Sequence, residues 1–325
     1  MEMFLNIFLL LAGFVALIKG ADMFVDGSSS VAAIFKVPSV IIGLTIVAMG
    51  TSAPELAVST SAALSGSNEI AISNVVGSNI FNLLMVLGIC AIIKPIPIEK
   101  TIKKRDFPIS IGIVVFLLAT LVPTIIVTTN FSTLKMSDNV ATISRWAGIV
   151  LILMFVAYIV TLIIIAKKNK TKGDDVKKMS LLKSIIFIII GIGLIVAGGH
   201  FVVESAKYIA AAFGMSETLI GLTVVAFGTS LPELVTSIVA SRKGENDLAI
   251  GNVVGSNIFN VLLILGCSAA IHPVAVNMAS IIDLAILIVV SIIVYAFAIT
   301  KNINRLKGAV MVLMYIGTVV FAIIR

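Results

Sequence analysis

The chain has 325 residues, 59% of them hydrophobic and only 12% charged, with a formal net charge of +7. Soluble domains carry about a quarter charged residues, so this composition excludes an ordinary soluble fold and indicates a polytopic membrane protein. The basic residues sit between apolar stretches and not in a stripe with aromatics, which makes the membrane surface their partner, with no role for nucleic acid.

A span needs about 20 apolar residues, and ten segments qualify in chain order: 4–34, 39–64, 69–92, 107–127, 143–166, 181–212, 217–241, 246–271, 280–299 and 306–324. The first has no Lys or Arg ahead of its apolar run, and its counterpart 181–212 lies mid-chain, so it reads as a span and not as a signal peptide. It carries Lys19, Asp22 and Asp26, and the sixth carries His200, Glu204 and Lys207; at helical spacing these groups pair with one another or reach the rim. Cys90 and Cys267 fall within spans, as small core residues and not as a disulfide. Asn130-Phe-Ser132 matches a glycosylation sequon, too common a tripeptide to carry weight.

The second span holds Gly43-Leu-Thr-Ile-Val-Ala-Met-Gly-Thr-Ser-Ala-Pro-Glu-Leu56, and the seventh repeats it as Gly221-Leu-Thr-Val-Val-Ala-Phe-Gly-Thr-Ser-Leu-Pro-Glu-Leu234. The same nine residues then recur at Asn74–Asn82 and Asn252–Asn260, at one unbroken offset. The chain is therefore a duplication: 1–166 forms the first five-span copy, 167–180 a polar, lysine-rich cytoplasmic linker, and 181–325 the second copy.

Equivalent loops of the copies carry opposite charge bias. Lys94, Lys100, Lys103, Lys104 and Arg105 lie between Lys94 and Asp106, whereas the counterpart from His272 to Leu284 has no Lys or Arg; Arg242 and Lys243 fall opposite Leu64 and Ser65, and Lys36 opposite Gly214. With the run Lys167–Lys183 and the cluster Lys301, Arg305 and Lys307, nearly all basic residues then share one side, which the positive-inside rule makes cytoplasmic, with both termini extracellular at the cell membrane. Five spans per copy is an odd number, so the copies are inverted. Trp146 beside Arg145 suits an anchor at the outer interface.

Each copy places a glutamate, Glu55 or Glu233, inside a strongly apolar span, where an ionised side chain costs about 2.5 kcal/mol or more unless something offsets it. Pro54 and Pro232 stand just before them, and proline frees the carbonyl four residues earlier, so the helix is expected to break; Gly50 and Gly228 lie at that carbonyl and ease the break. Broken backbone at membrane depth lines a protected or hydrated cavity. Thr51 with Glu55 and Thr229 with Glu233 are four apart and share a face, with Ser52 and Ser230 alongside, while the next spans repeat the spacing in Ser78 with Asn82 and Ser256 with Asn260. The donors are all oxygen, which suits hard cations such as calcium and sodium; zinc and copper would call for Cys or His. The two carboxylates supply a charge of −2 that one divalent ion, two monovalent ions or protons can balance, so occupancy by one ion competes with another. Asn74, Asn79, Asn252 and Asn257 read as groups that satisfy broken backbone.

These motifs, Gly-Thr-Ser-Ala-Pro-Glu at 50–55, Gly-Thr-Ser-Leu-Pro-Glu at 228–233 and two copies of Gly-Ser-Asn-Ile-Phe-Asn, resemble the alpha-repeats of sodium/calcium exchangers of the calcium/cation antiporter superfamily, in their prokaryotic form. The resemblance implies an all-α polytopic membrane protein with ten transmembrane helices, built as two inverted five-helix repeats with helices 2, 3, 7 and 8 broken. It implies export of calcium against entering sodium by alternating access, without enzymatic turnover, cofactor or obligatory protein partner. It maps the ion ligands to the backbone of Ala48 and Ala226 and to Thr51, Ser52, Glu55, Ser78, Asn82, Thr229, Ser230, Glu233, Ser256 and Asn260, and it implies that the long first and sixth helices slide against the rest. Some archaeal and potassium-dependent relatives have aspartate at the position of Asn260; asparagine here leaves two carboxylates and weakens the expectation of potassium dependence. A calcium/proton antiporter is the alternative within the same class, and a cation channel is the alternative of another class.

Overall fold

A computed structural model describes residues 2–64, 69–128, 135–168, 179–214, 226–300 and 302–324. The helices are α1 (Glu2–Phe35), α2 (Ser39–Thr51), α3 (Ala53–Leu64), α4 (Ile70–Ile93), α5 (Ile102–Ile126), α6 (Arg145–Lys168), α7 (Leu181–Ala212), α8 (Ala226–Thr229), α9 (Leu231–Lys243), α10 (Asn246–Ile271), α11 (Met278–Ile299) and α12 (Arg305–Ile324). Two short antiparallel ladders pair β1 (Ile96–Pro97) with β4 (Asn302–Ile303) and β2 (Asn139–Ile143) with β3 (Val274–Asn277), strands that apolar periodicity did not announce.

Among the described residues, eight helices are long and apolar enough to cross a bilayer, and α2 with α3, bent by 50°, makes a ninth. The expected tenth span, 217–241, falls partly outside the described residues; α8 and α9 are its described part. The segment Ile102–Asp106, expected in a basic loop, is instead the first turns of α5. There Arg105 grips the fully buried Asp106 through two bonds of 2.8 and 2.9 Å, and the Tyr158 hydroxyl donates to the same carboxylate at 3.3 Å. Lys103 donates to the Thr300 carbonyl at 2.6 Å and Lys307 to that of Asn302 at 2.9 Å, so part of the loop charge binds backbone as well as facing the membrane surface. Trp146 is 78% exposed at the start of α6.

The chain divides into two units. Unit 1 comprises Met1–Pro54 and Ile163–Val253, and unit 2 comprises Glu55–Leu162 and Val254–Arg325, so each unit draws on both sequence copies.

Unit 1 is organised by α1 and α7, of 34 and 32 residues. At 1.5 Å per residue each is about 50 Å long, well beyond a hydrocarbon core of about 30 Å. They pack antiparallel through small residues: a Cβ added to Gly13 would lie 2.8 Å from the Gly198 carbonyl oxygen, one at Gly20 2.8 Å from that of Gly191, and one at Gly27 2.8 Å from that of Ser184. Backbones can approach this closely only where side chains are absent. Gly13 and Gly191 are equivalent in the two copies, as are Gly20 and Gly198, so the contacts are reciprocal in the manner of a two-fold interface. Leu17, Phe24, Val25, Ile195, Val202 and Leu248 form the buried core of this unit.

Unit 2 repeats that logic with other helices. Gly88 of α4 meets Gly308 of α12, and its equivalent Gly266 of α10 meets Gly148 of α6. Phe81 stacks edge-on against Tyr315 at 5.4 Å, and the equivalent Phe259 does so against Phe155 at 5.6 Å, both at 78°. The two ladders form a further reciprocal pair of contacts. Cys90 is buried and Cys267 partly so, both as free thiols.

Candidate ion-binding site

The two glutamates stand where the helices are interrupted. Between α2 and α3 Ser52 leaves the helical path, and between α8 and α9 Ser230 does so. Pro54 and Pro232 then occupy the first turn of the new helix, the one place where a missing amide costs nothing. Glu55 and Glu233 follow in that same first turn. The positive end of the helix dipole and its unsatisfied amides favour a carboxylate there, by up to about 2 kcal/mol in a partly buried setting. Both side chains are fully buried.

The glycines before the breaks act differently from expectation. Gly50 and Gly228 keep negative φ, and positive φ among the described residues is confined to Lys36, Gly214 and Gly244. Instead, a Cβ at Gly50 would lie 2.7 Å from the Phe24 ring, and one at Gly228 would collide with Val203, so these glycines let the α2 and α8 backbones approach α1 and α7. Gly77 has open space where a Cβ would go. In α4 and α10 the interruption takes the form of widened π turns at Asn82–Val86 and Asn260–Leu265, through which the helix continues. Such turns shift side-chain direction without a proline and are frequent at functional sites.

In unit 1 the structure brings Ser52 to Glu233: the hydroxyl donates to Oε1 at 2.7 Å, a bond between the two sequence copies. Thr51 donates to Asn252 Oδ1 at 3.0 Å, and Asn252 in turn donates to Ser237 at 2.9 Å and to the Glu233 carbonyl at 3.5 Å. The Ala48 carbonyl accepts from the Ser52 amide at 3.0 Å and from Thr51 Oγ1 at 3.3 Å; Ala226 opens α8. Thr229 Oγ1 is buried and finds no partner among the described residues.

In unit 2 Ser78 donates to Glu55 Oε1 at 3.4 Å, and Asn74 donates to Ser59 at 3.0 Å and to the Glu55 carbonyl at 3.4 Å, matching Asn252 in unit 1. Asn79 and Asn257 clasp each other, each amide donating to the other's backbone carbonyl, at 3.1 and 3.3 Å. The asparagines expected to satisfy backbone thus do so. Asn260 donates to Asn79 Oδ1 at 3.0 Å, whereas both polar atoms of the fully buried Asn82 lack a partner among the described residues, as do Oδ1 of Asn257 and of Asn260. Ser256 is fully buried in the same unit. Buried amides without partners call for an explanation, and three carbonyl oxygens of this kind are donors for a hard cation or its water. Asn257 combines this backbone bond with an Oδ1 that finds no partner among the described residues. Among the described residues no cluster of three or more acidic, His or Cys side chains that could hold a metal occurs; Glu233 in unit 1 and Glu55 in unit 2 each accept from a neutral hydroxyl.

Comparison with known proteins decides the family. The family described as sodium/calcium exchanger protein matches residues 5–164 and again 183–324. The chain belongs to the sodium/calcium exchanger family. Within it, the chain is 35% identical to the putative antiporter CaxA of Alkalimonas amylolytica, over 94% of this chain and 95% of that one. It is 32% identical to the sodium/calcium exchanger MaX1 of Methanosarcina acetivorans, over 97% of each. The solved sodium-calcium exchanger NCX_Mj, soaked with sodium and calcium, superimposes with a TM-score of 0.81 at 31% identity, covering 97% of this chain and 98% of that one. As a prokaryotic exchanger of the calcium/cation antiporter superfamily, the protein is a multi-pass membrane transporter of the sodium/calcium exchange type.

Proposed function

We propose that this exchanger exports calcium in exchange for entering sodium by alternating access, with Glu55 and Glu233 as the acidic ligands. Ala48, Thr51, Ser52, Ala226, Thr229, Ser230, Ser78, Asn82, Ser256 and Asn260 replace the ions' hydration shells. The observation that carries the reading is the twice-made arrangement of one fully buried glutamate in the first turn of an interrupted helix, with a hydroxyl bonded to its carboxylate. A carboxylate held ready in an apolar span, with neutral oxygens around it, is an arrangement for a cation that must come and go. Two such charges are balanced by one calcium or two sodium ions, so each ion displaces the other. MaX1 and NCX_Mj, both named as sodium/calcium exchangers, support the choice of ions.

The reading places the protein in the cell membrane with both termini outside, as repeats 1–166 and 181–325 joined by the cytoplasmic linker 167–180, and it involves no enzymatic turnover, cofactor or obligatory partner. In proteoliposomes, calcium uptake requires an outward sodium gradient, and Glu55→Gln or Glu233→Gln lowers it at least a hundredfold. Uptake driven by a proton gradient without sodium would replace this reading with calcium/proton exchange, and unitary currents in planar bilayers would replace it with a channel.

A further inference from the structure

Away from the glutamates, unit 1 holds a cleft of about 500 Å³ at the ends of α1, α7 and α9, lined among others by Asp26, Ser29, Lys183, Lys243 and Glu245. Asp22, Asp26 and Ser29 share one face of α1, by their spacing of four and three. The ammonium of Lys243, the last residue of α9, is held against that face by three oxygens: Asp26 Oδ1 at 2.7 Å, Asp22 Oδ1 at 3.2 Å and the Asp22 carbonyl at 3.1 Å. Gly244, with φ of 88°, ends α9 directly after it and turns the chain so that Glu245 also lines the cleft. Pairs within α1 or with α7 were the expectation for the two aspartates; their cation comes instead from α9, which the linear spacing did not reveal.

A further observation points to a ligand. Ser29 lines the cleft, is only 3% exposed, and its hydroxyl has no partner among the described residues. A buried hydroxyl normally has a partner, and this one lacks the contact that a cation or its water would supply.

We propose that this cleft is a second calcium site, where the exchanged ion waits on the side proposed to be cytoplasmic, and that the Lys243 ammonium is a tethered stand-in that calcium displaces. This rests on the exchange reading above. Two carboxylates, a carbonyl and a hydroxyl suit a divalent ion that takes oxygens at about 2.3–2.6 Å. The ammonium sits at longer distances in a partly exposed position, where such pairs contribute little, so it holds the aspartates together without blocking exchange for calcium.

The test uses calcium alone as the probe. In purified protein carrying Glu55→Gln and Glu233→Gln, isothermal titration is expected to show that Lys243→Met tightens calcium binding at least tenfold and that adding Asp26→Asn removes the gain. Binding no tighter than in the parent would overturn the proposal. In inside-out vesicles of the otherwise native protein, Lys243→Met is expected to lower the half-saturating calcium on the exposed face at least threefold. A fall in maximal rate with half-saturation unmoved would make Lys243 a structural anchor and likewise overturn the proposal. Loss of sodium-driven uptake in the native chain would refute the exchange reading instead, with the titration still deciding the cleft.

Discussion

The two units hold different parts of the repeated motifs. In unit 1 the helix is interrupted at a proline, and Glu233 receives a short 2.7 Å bond from a hydroxyl of the other sequence copy, with Asn252 tying Thr51 to Ser237 behind it. In unit 2 α4 and α10 remain continuous, widened π turns carry Asn82 and Asn260, asparagines clasp one another, and Ser78 donates to Glu55 Oε1 at 3.4 Å. A proline break releases backbone and aims a hydroxyl, whereas a widened turn keeps the helix and re-aims an amide. The comparison teaches that one duplicated sequence carries two kinds of helix interruption, a proline break before each glutamate and a widened turn at each of Asn82 and Asn260.

If the amide clasp is the mechanical centre of unit 2, Asn79→Leu has the largest effect of the neutral substitutions. It removes a donor to the Asn257 carbonyl and the acceptor of Asn260, leaving buried groups unsatisfied at about 1–3 kcal/mol each. The expected result is a loss of sodium-driven calcium flux of tenfold or more with a lower melting temperature in detergent. An unchanged melting temperature would break the contrast between the units. Ser52→Ala comes next: it deletes a hydrogen bond to a charged group, worth about 1.5–3 kcal/mol, and is expected to raise half-saturating calcium about tenfold. Ser78→Ala, whose 3.4 Å bond to Glu55 is longer and weaker, is expected to change the same quantity less than threefold. Equal effects of the two serine substitutions, measured side by side, would show that bond length does not rank these two hydroxyls.

Much of this was readable from the chain. The repeat, the buried glutamates, the prolines and the spacing of hydroxyls with amides all follow from local pattern, and so do the long apolar helices among the described residues. The bend at Ser52 follows from Pro54, since a missing amide acts on its own turn. The π turns at Asn82 and Asn260 were not readable, because nothing in Ser-Asn-Ile-Phe-Asn distinguishes a widened turn from a regular one. Gly50 was misread for a related reason: a glycine near a break suggests unusual dihedrals, whereas Phe24 of a helix distant in sequence dictates its lack of a Cβ. Lys36 shows the converse, taking a φ of 55° at the end of α1 where its counterpart Gly214 takes 84° without penalty.

The sequence by itself determined the elements and the chemical inventory: helices long enough to span, two carboxylates, and oxygen donors in place of sulfur or imidazole, because these depend on composition and on spacing along one helix. Only the tertiary structure decided which donor serves which acceptor. Ser52 bonds a glutamate 181 positions away, Lys243 reaches aspartates more than 200 positions earlier, and Asn260 turns to Asn79 while Asn82 stays open. Hydrogen bonds and ion pairs act over about 3 Å, and that distance is set by how the helices pack, which no local pattern specifies.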